Sequence, residues 1–456
     1  MGNPLTGEVP GDGAEPGNRN GWNRSWRNRS RWRDRDELGR GLFGSRPGLI
    51  TGLVLAGVGT LGAALGSLAV GGPAPRIDGT VIAAASHDTN VVPTTLAQTT
   101  PAEFVYPGRL NLAWPSSGSA AIEVEGMGLL GHMGSMTSKS AIASITKTMT
   151  AYLILKDHPL TGNSSGPTIT LTGAMAATYA AAIAADESAV VTKAGERITE
   201  RQALEALLLA SAGNMADILA MWDKGSVRAF LTEMNQEAHT LGLTGTDFTD
   251  PAGLAYSTVS TMADLLKLAE AVQRVPALTA IVAENSAVVP VAGTVYNVNR
   301  DLGSYGIDGI KTGTTAAAGS CLLFSAHITV GGHWLTILGV VLGMPGSSGI
   351  PRTALNAAKK LVASAEAQIG QATVAPTGRA VAALERGGRQ VAQLGVADGL
   401  TVVGWPGLRY RVTVGGTASA ARLSVTRTGV SSATVSIPLL RLAAHPAPSA
   451  TATTLR

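Results

Sequence analysis

The apolar and polar positions divide the chain into stretches of different character. Residues 49–70 form an apolar, Gly- and Ala-rich run of 22 residues without a charge. That is long enough to cross a hydrocarbon core of about 30 Å at about 1.5 Å per residue. Residues 120–130 (AAIEVEGMGLL) alternate, with Ile122 and Val124 set against Glu123 and Glu125, which predicts a half-buried strand. From about Ser144 the pattern turns helical, with long stretches beginning at Glu200 (ERQALEALLLASAGNMADILA) and Thr261 (TMADLLKLAEAVQ). Residues 321–329 and 334–342 are apolar β-type runs joined by Gly331, Gly332 and His333, the mark of an antiparallel hairpin. A last helix is predicted over residues 352–367. Strand, helical middle, hairpin and closing helix give an α+β domain over about 105–369.

After Gly370 the chain changes to short β-prone pieces separated by glycine, among them TVVGWPG, RYRVTVGG, ARLSVTRTG and ATVSIPL. These predict a small all-β domain over 370–441, followed by a tail, 442–456, without apolar periodicity. Residues 71–104, rich in Pro, Ala and Thr, read as a linker. No internal repeat changes this division.

Charge refines the picture at the N-terminus. The net charge of +4 arises largely between Arg19 and Arg33, where six arginines stand among Trp22, Trp26 and Trp32 with no acid. Such a run is disordered by composition, so 1–48 reads as a basic tail. By the positive-inside rule it stays in the cytoplasm and sends everything after Val70 across the membrane. The expected product is a single-pass membrane protein with the bulk of the chain extracytoplasmic. Nearly fifty residues precede the apolar run, which favours a retained anchor over a cleaved signal. The arginines suit a topogenic or lipid-facing role, and no nucleic-acid partner is expected. Gly57, Gly59 and Gly62 spell G-x-G-x-x-G without the strand and acidic residue a nucleotide site needs.

The candidate chemistry lies in the α+β domain. Ser144 and Lys147 are three residues apart, so on a helix the amine lies over the hydroxyl. A serine needs a base to become a nucleophile, and an amine serves when burial or a nearby cation lowers its pKa. The S-x-x-K spacing alone is common by chance. Lys311, Thr312 and Gly313 precede the hairpin's first strand, where a cation and a hydroxyl at an exposed strand edge suit a carboxylate. Gly313 would let a substrate backbone come close. Ser211 sits in an interruption, ASAGN, between helical stretches. The single cysteine, Cys321, excludes an intrachain disulfide and a thiolate zinc site, and its apolar strand makes it a core residue. The chain has no H-E-x-x-H string. No metal or cofactor is expected.

The strings ASITKTMTAYLIL, LLLASAGNMAD, TDFTDPAGL and GIDGIKTGTTAAAGSCLL together resemble the low-molecular-mass penicillin-binding proteins, the serine D-alanyl-D-alanine carboxypeptidases. The resemblance covers about 105–365 and implies a β-lactamase/transpeptidase-like fold: an antiparallel sheet with helices and a helical subdomain. It implies Ser144 as acylated nucleophile, Lys147 as its base and Ser211 in the proton network. Lys311 and Thr312 would hold the substrate's terminal carboxylate, and the backbone N–H groups of Ser144 and Thr314 would form the oxyanion hole. Lys311 would keep Lys147 basic by repulsion. Peptidoglycan stem peptides are the implied substrate, and β-lactams the implied covalent inhibitors. The sequence departs from the family at Gly213, where asparagine is usual, with Asn214 one place later. Either Asn214 swings in to bind substrate or that contact is absent. The alternatives are a catalytically weak or idle wall-binding scaffold and a β-lactamase, though no E-x-x-L-N string lies between Ser211 and Lys311.

Overall fold

The computed structural model describes residues 92–346, 349–429 and 434–443, all within one compact unit, Ser86–Arg456. The basic tail, the apolar run 49–70, most of the expected linker and the end of the C-terminal tail lie outside the described residues. Among the described residues, no helix is long and apolar enough to cross a membrane.

A five-stranded antiparallel sheet organises the α+β part. Its strands run in the order Ile307–Thr315, Gly319–Val330, His333–Met344, Ser119–Val124 and Gly128–Met133. The central strands carry apolar residues on both faces because both faces are covered. Cys321, Leu323, Leu338 and Val340 face a core of helices. Leu322, Phe324, Ala326 and Ile337 face the opposite core, which the closing helix Arg352–Glu366 supplies with Leu355, Leu361 and Val362. The hairpin turn is tighter than predicted: Val330 pairs with His333, leaving Gly331 and Gly332, both at positive φ, as a two-residue loop whose backbone only such residues adopt easily. The stretch 120–130 is two strands, not one. The chain turns at Gly126, also at positive φ, and Met127 N–H closes the turn on Val124 O.

The helical middle contains α1 (Thr146–Asp157), α2 (Gly173–Ala184), α3 (Glu200–Leu208), α4 (Gly213–Lys224), α5 (Val227–Thr240), α6 (Met262–Gln273) and α7 (Pro276–Val282). The stretch read as helical from Glu200 breaks between α3 and α4, where Ser211 adopts a left-handed φ of 60°. Helix α3 starts on a capping box of Thr199 and Gln202, a device that satisfies two otherwise unpaired N–H groups.

The C-terminal strands build a separate core around Val381, Leu384, Leu394, Val412 and Leu423. Here the expected linker needs correction. Thr94–Gln98 pairs antiparallel with Ala380–Arg386, and Glu103–Val105 with Arg409–Gly415, so both belong to the seven-stranded β sheet. Short edge strands with one or two apolar residues carry almost no local signal; their partners lie some three hundred residues away.

Candidate active site

Ser144 lies in a 3-10 turn, Ala143–Ile145, that leads directly into α1. The turn is tight: Ala143 has a φ of 47°, and its carbonyl accepts a hydrogen bond of 2.8 Å from Thr146 Oγ1. Lys147, on the first turn of α1, is fully buried. Its Nζ lies 3.0 Å from Ser144 Oγ, 2.8 Å from Ala252 O and 3.3 Å from Glu187 Oε1. A neutral amine has two N–H groups and one lone pair. As an ammonium Nζ donates to all three oxygens; once neutral, donating to Ala252 O and Glu187 would leave its lone pair for the Ser144 hydroxyl. Burial pulls the Lys147 pKa below that of a free lysine, against the opposing pull of Glu187 and, more weakly, Asp250 and Asp217.

The carbonyl of Ala252 is held by a loop built on Asp250. Its Oδ1 accepts from the N–H groups of Ala252, Gly253 and Leu254, and its Oδ2 from Ala255 N–H and Thr258 Oγ1. Thr150 of α1 ties the loop down by donating to Pro251 O at 2.6 Å. Gly253, with a φ of 82°, presses on the Ser144 turn, for a Cβ there would stand 1.9 Å from Ala143 O. Asp250 thus positions the machinery through the backbone. Asp247, three residues earlier in the chain, is exposed and pairs with Lys139 at 2.5 Å.

The opposite wall is the strand Ile307–Thr315. Lys311 Nζ donates to Ser211 Oγ and to Thr312 O, both at 3.0 Å. The sequence suggested an exposed edge. The strand is indeed at the sheet's edge, but the Ser144 turn packs against it, and Lys311 and Thr312 are buried. Gly313 makes room within the protein itself. A Cβ there would meet Ser144 N at 3.0 Å, Ala143 Cβ at 3.1 Å and Ile142 O at 3.1 Å, so its lack of a side chain admits the nucleophile's own backbone. Thr314 Oγ1 is buried without a partner. Burial, then repulsion from Lys147, puts the Lys311 pKa well below its ordinary value. Lys147 has Glu187 as a counter-charge, and Lys311 has a hydroxyl and a carbonyl.

Asn214 does not swing in. Its Oδ1 accepts from Val190 N–H at 3.1 Å, and its Nδ2 donates to Val190 O at 2.9 Å. That bridge uses one of the amide's two N–H groups and one of its oxygen's two lone pairs, and it pins the fully buried side chain to Val190, away from the role expected of it. The space beside Gly213 is filled by Glu187, whose Oε1 lies 1.8 Å from where a Cβ of residue 213 would stand. Reading the sequence missed Glu187 entirely; its only hint was the glycine that makes room for it. Cys321 is buried and donates to Ala318 O at 3.3 Å, and burial pushes its thiol up to about 11, consistent with a core residue. Among the described residues no cluster of His, Cys, Asp and Glu could hold a metal.

The structure therefore brings together two hydroxyl–amine pairs, Ser144 with Lys147 and Ser211 with Lys311, on an α+β frame. That is the arrangement of a serine acyl-transfer enzyme. The family model described as D-alanyl-D-alanine carboxypeptidase, peptidase S11, matches residues 132–345. The D-alanyl-D-alanine endopeptidase of Pseudomonas aeruginosa is 30% identical over 221 residues, 47% of this chain and 68% of that protein. That of Escherichia coli is 30% identical over 196 residues, 41% of this chain; the match spans 59% of that protein's length. Penicillin-binding protein 5 from Haemophilus influenzae shares the fold, with a TM-score of 0.52 at 19% identity over 74% of this chain and 98% of that one. The chain belongs to the D-alanyl-D-alanine carboxypeptidase family, peptidase S11.

Proposed function

We propose that this protein is a serine D-alanyl-D-alanine carboxypeptidase that removes the terminal D-alanine from peptidoglycan stem peptides and is acylated by β-lactams. The observation that carries the reading is the fully buried Lys147 amine 3.0 Å from the Ser144 hydroxyl. Lys147 takes the Ser144 proton as Oγ attacks the carbonyl of the penultimate residue. The N–H groups of Ser144 and Thr314 face the developing oxyanion. Collapse of the adduct expels D-alanine, whose amine receives a proton by way of Lys147 and Ser211. Water then cleaves the ester and restores the hydroxyl. Lys311 and Thr312 receive the terminal carboxylate.

An endopeptidase reading is supported by the names of the relatives from Pseudomonas aeruginosa and Escherichia coli. The amide of a cross-link can present a free carboxylate to the same clamp. A pentapeptide and a cross-linked dimer, offered to the wild type and to Ser144→Ala, separate the two readings. We expect D-alanine release from the pentapeptide by the wild type alone. Cleavage of the dimer without D-alanine release would favour the endopeptidase, rapid turnover of penicillin a β-lactamase, and wall binding without acylation an idle scaffold. A place on the outer face of a membrane, held by residues 49–70, rests on the apolar run and the preceding arginines of the sequence.

A further inference from the structure

The segment that carries Glu187 is fastened to the start of α4 by three hydrogen bonds. Gly213 N–H donates to Ser188 O at 2.7 Å, and the Asn214 amide bridges both backbone groups of Val190. A fourth bond, from Glu187 N–H to Ala182 O at 2.9 Å, anchors it to the end of α2. The two residues that depart from the family's pattern thus have one explanation. Gly213 leaves a space, and Asn214 fixes the loop that fills it with a carboxylate. Glu187 Cδ would lie 1.9 Å from a Cβ at 213, so the carboxylate and any side chain there exclude each other.

We propose that Glu187 is a positioning residue for Lys147, replacing a side chain at 213 and supplying the counter-charge when Lys147 accepts the proton of Ser144. This rests on the acyl-enzyme reading above. The charged groups facing Lys147 are Glu187, Asp250, Asp217 and, from the strand wall, Lys311. The Asp250 carboxylate is engaged by four backbone N–H groups and a hydroxyl. Asp217 is raised to about 6 by burial and by the charges of Glu187 and Asp250, and it makes no direct bond to Lys147. Glu187 alone among these carboxylates touches the amine, and its side chain is 13% exposed, which limits screening by water. No bond to Glu187 forms or breaks. The proton moves from Ser144 Oγ to Lys147 Nζ, and the resulting ammonium lies against a carboxylate where the family's usual residue is neutral.

The sign of the pH effect follows. Glu187 raises the Lys147 pKa against the pull of burial, so removing its charge makes the amine neutral at lower pH. The test is the second-order acylation rate with a fluorescent penicillin, measured on the full chain across the pH range. The variants are E187Q, E187A, G213N and E187A/G213N, each checked for folding by thermal melt. E187Q should shift the acid limb to lower pH and reduce the plateau about 10- to 100-fold, the worth of one charge-assisted contact in the transition state. G213N alone should be more impaired than E187A/G213N, since the double variant removes the collision. An E187Q profile superimposable on that of a labelled wild type would overturn the proposal, as would strictly additive effects of E187A and G213N. A folded wild type without label would instead overturn the acyl-enzyme reading and this inference with it.

Discussion

Lys147 and Lys311 are both fully buried, yet their surroundings differ. On the helical wall, Lys147 has a carboxylate at 3.3 Å, a backbone carbonyl and the nucleophile within reach. On the strand wall, Lys311 has a hydroxyl and its neighbour's carbonyl, and among the described residues no acidic side chain pairs with it. Burial lowers both; Glu187 pulls Lys147 back up, and no carboxylate does the same for Lys311. A buried amine with a built-in counter-charge can accept a proton and give it back within the protein. One without a counter-charge gains most when an anion arrives from outside. On the function proposed above, the difference would divide the labour of the site: proton transfer on one wall, recognition of a carboxylate on the other.

Replacing each lysine by methionine should break that division most visibly. K147M should lower acylation by about a thousandfold, the scale of a lost general base. It should also cost about 1–3 kcal/mol in urea unfolding, because Glu187 is left partly buried without its partner. K311M should leave stability within about 1 kcal/mol and weaken carboxylate-terminated ligands about 10- to 100-fold, as expected for a lost charge-assisted bond. Equal stability losses in the two variants would erase the contrast.

A smaller effect sharpens the strand-wall half. A bound carboxylate raises the Lys311 pKa, so affinity for a D-alanyl-D-alanine peptide is fullest below the free-enzyme value. It declines as pH rises above that value, by about tenfold per pH unit within the window between the free and bound values. Calorimetry of the Ser144→Ala variant in two buffers of different ionisation enthalpy should show proton uptake on binding. Binding with no proton exchange at any pH would show that the carboxylate leaves the Lys311 pKa unchanged and would contradict its role in binding. Least affected should be the exposed Lys139–Asp247 pair. D247N should change the melting free energy by no more than about 0.5 kcal/mol, which separates Asp247 from its neighbour Asp250 in the same loop.

Local rules made part of this site legible from the chain. The i, i+3 spacing placed Lys147 over Ser144, and paired glycines marked the hairpin at 331–332, because both depend on residues adjacent in sequence. The roles that escaped depend on distant approach. Glu187 comes from a segment about 40 residues beyond Lys147, and neither its spacing nor its surroundings mark it as functional. Gly313 reads as room for a ligand until the turn at Ala143 is seen against it. Asp250 could have been found: an Asp-Pro-x-Gly string commonly folds the backbone around its carboxylate. The strand Thr94–Gln98 could not, since the partner that makes it a strand, Ala380–Arg386, lies at the far end of the sequence.

Intact-protein mass spectrometry after brief exposure to a β-lactam tests most directly the claim that Lys147 makes an acylable nucleophile of Ser144. The account predicts one covalent adduct per chain, mapped to the peptide containing Ser144 and absent from a folded Ser144→Ala variant. A folded wild type that stays unmodified, or an adduct that persists in the variant, would contradict it.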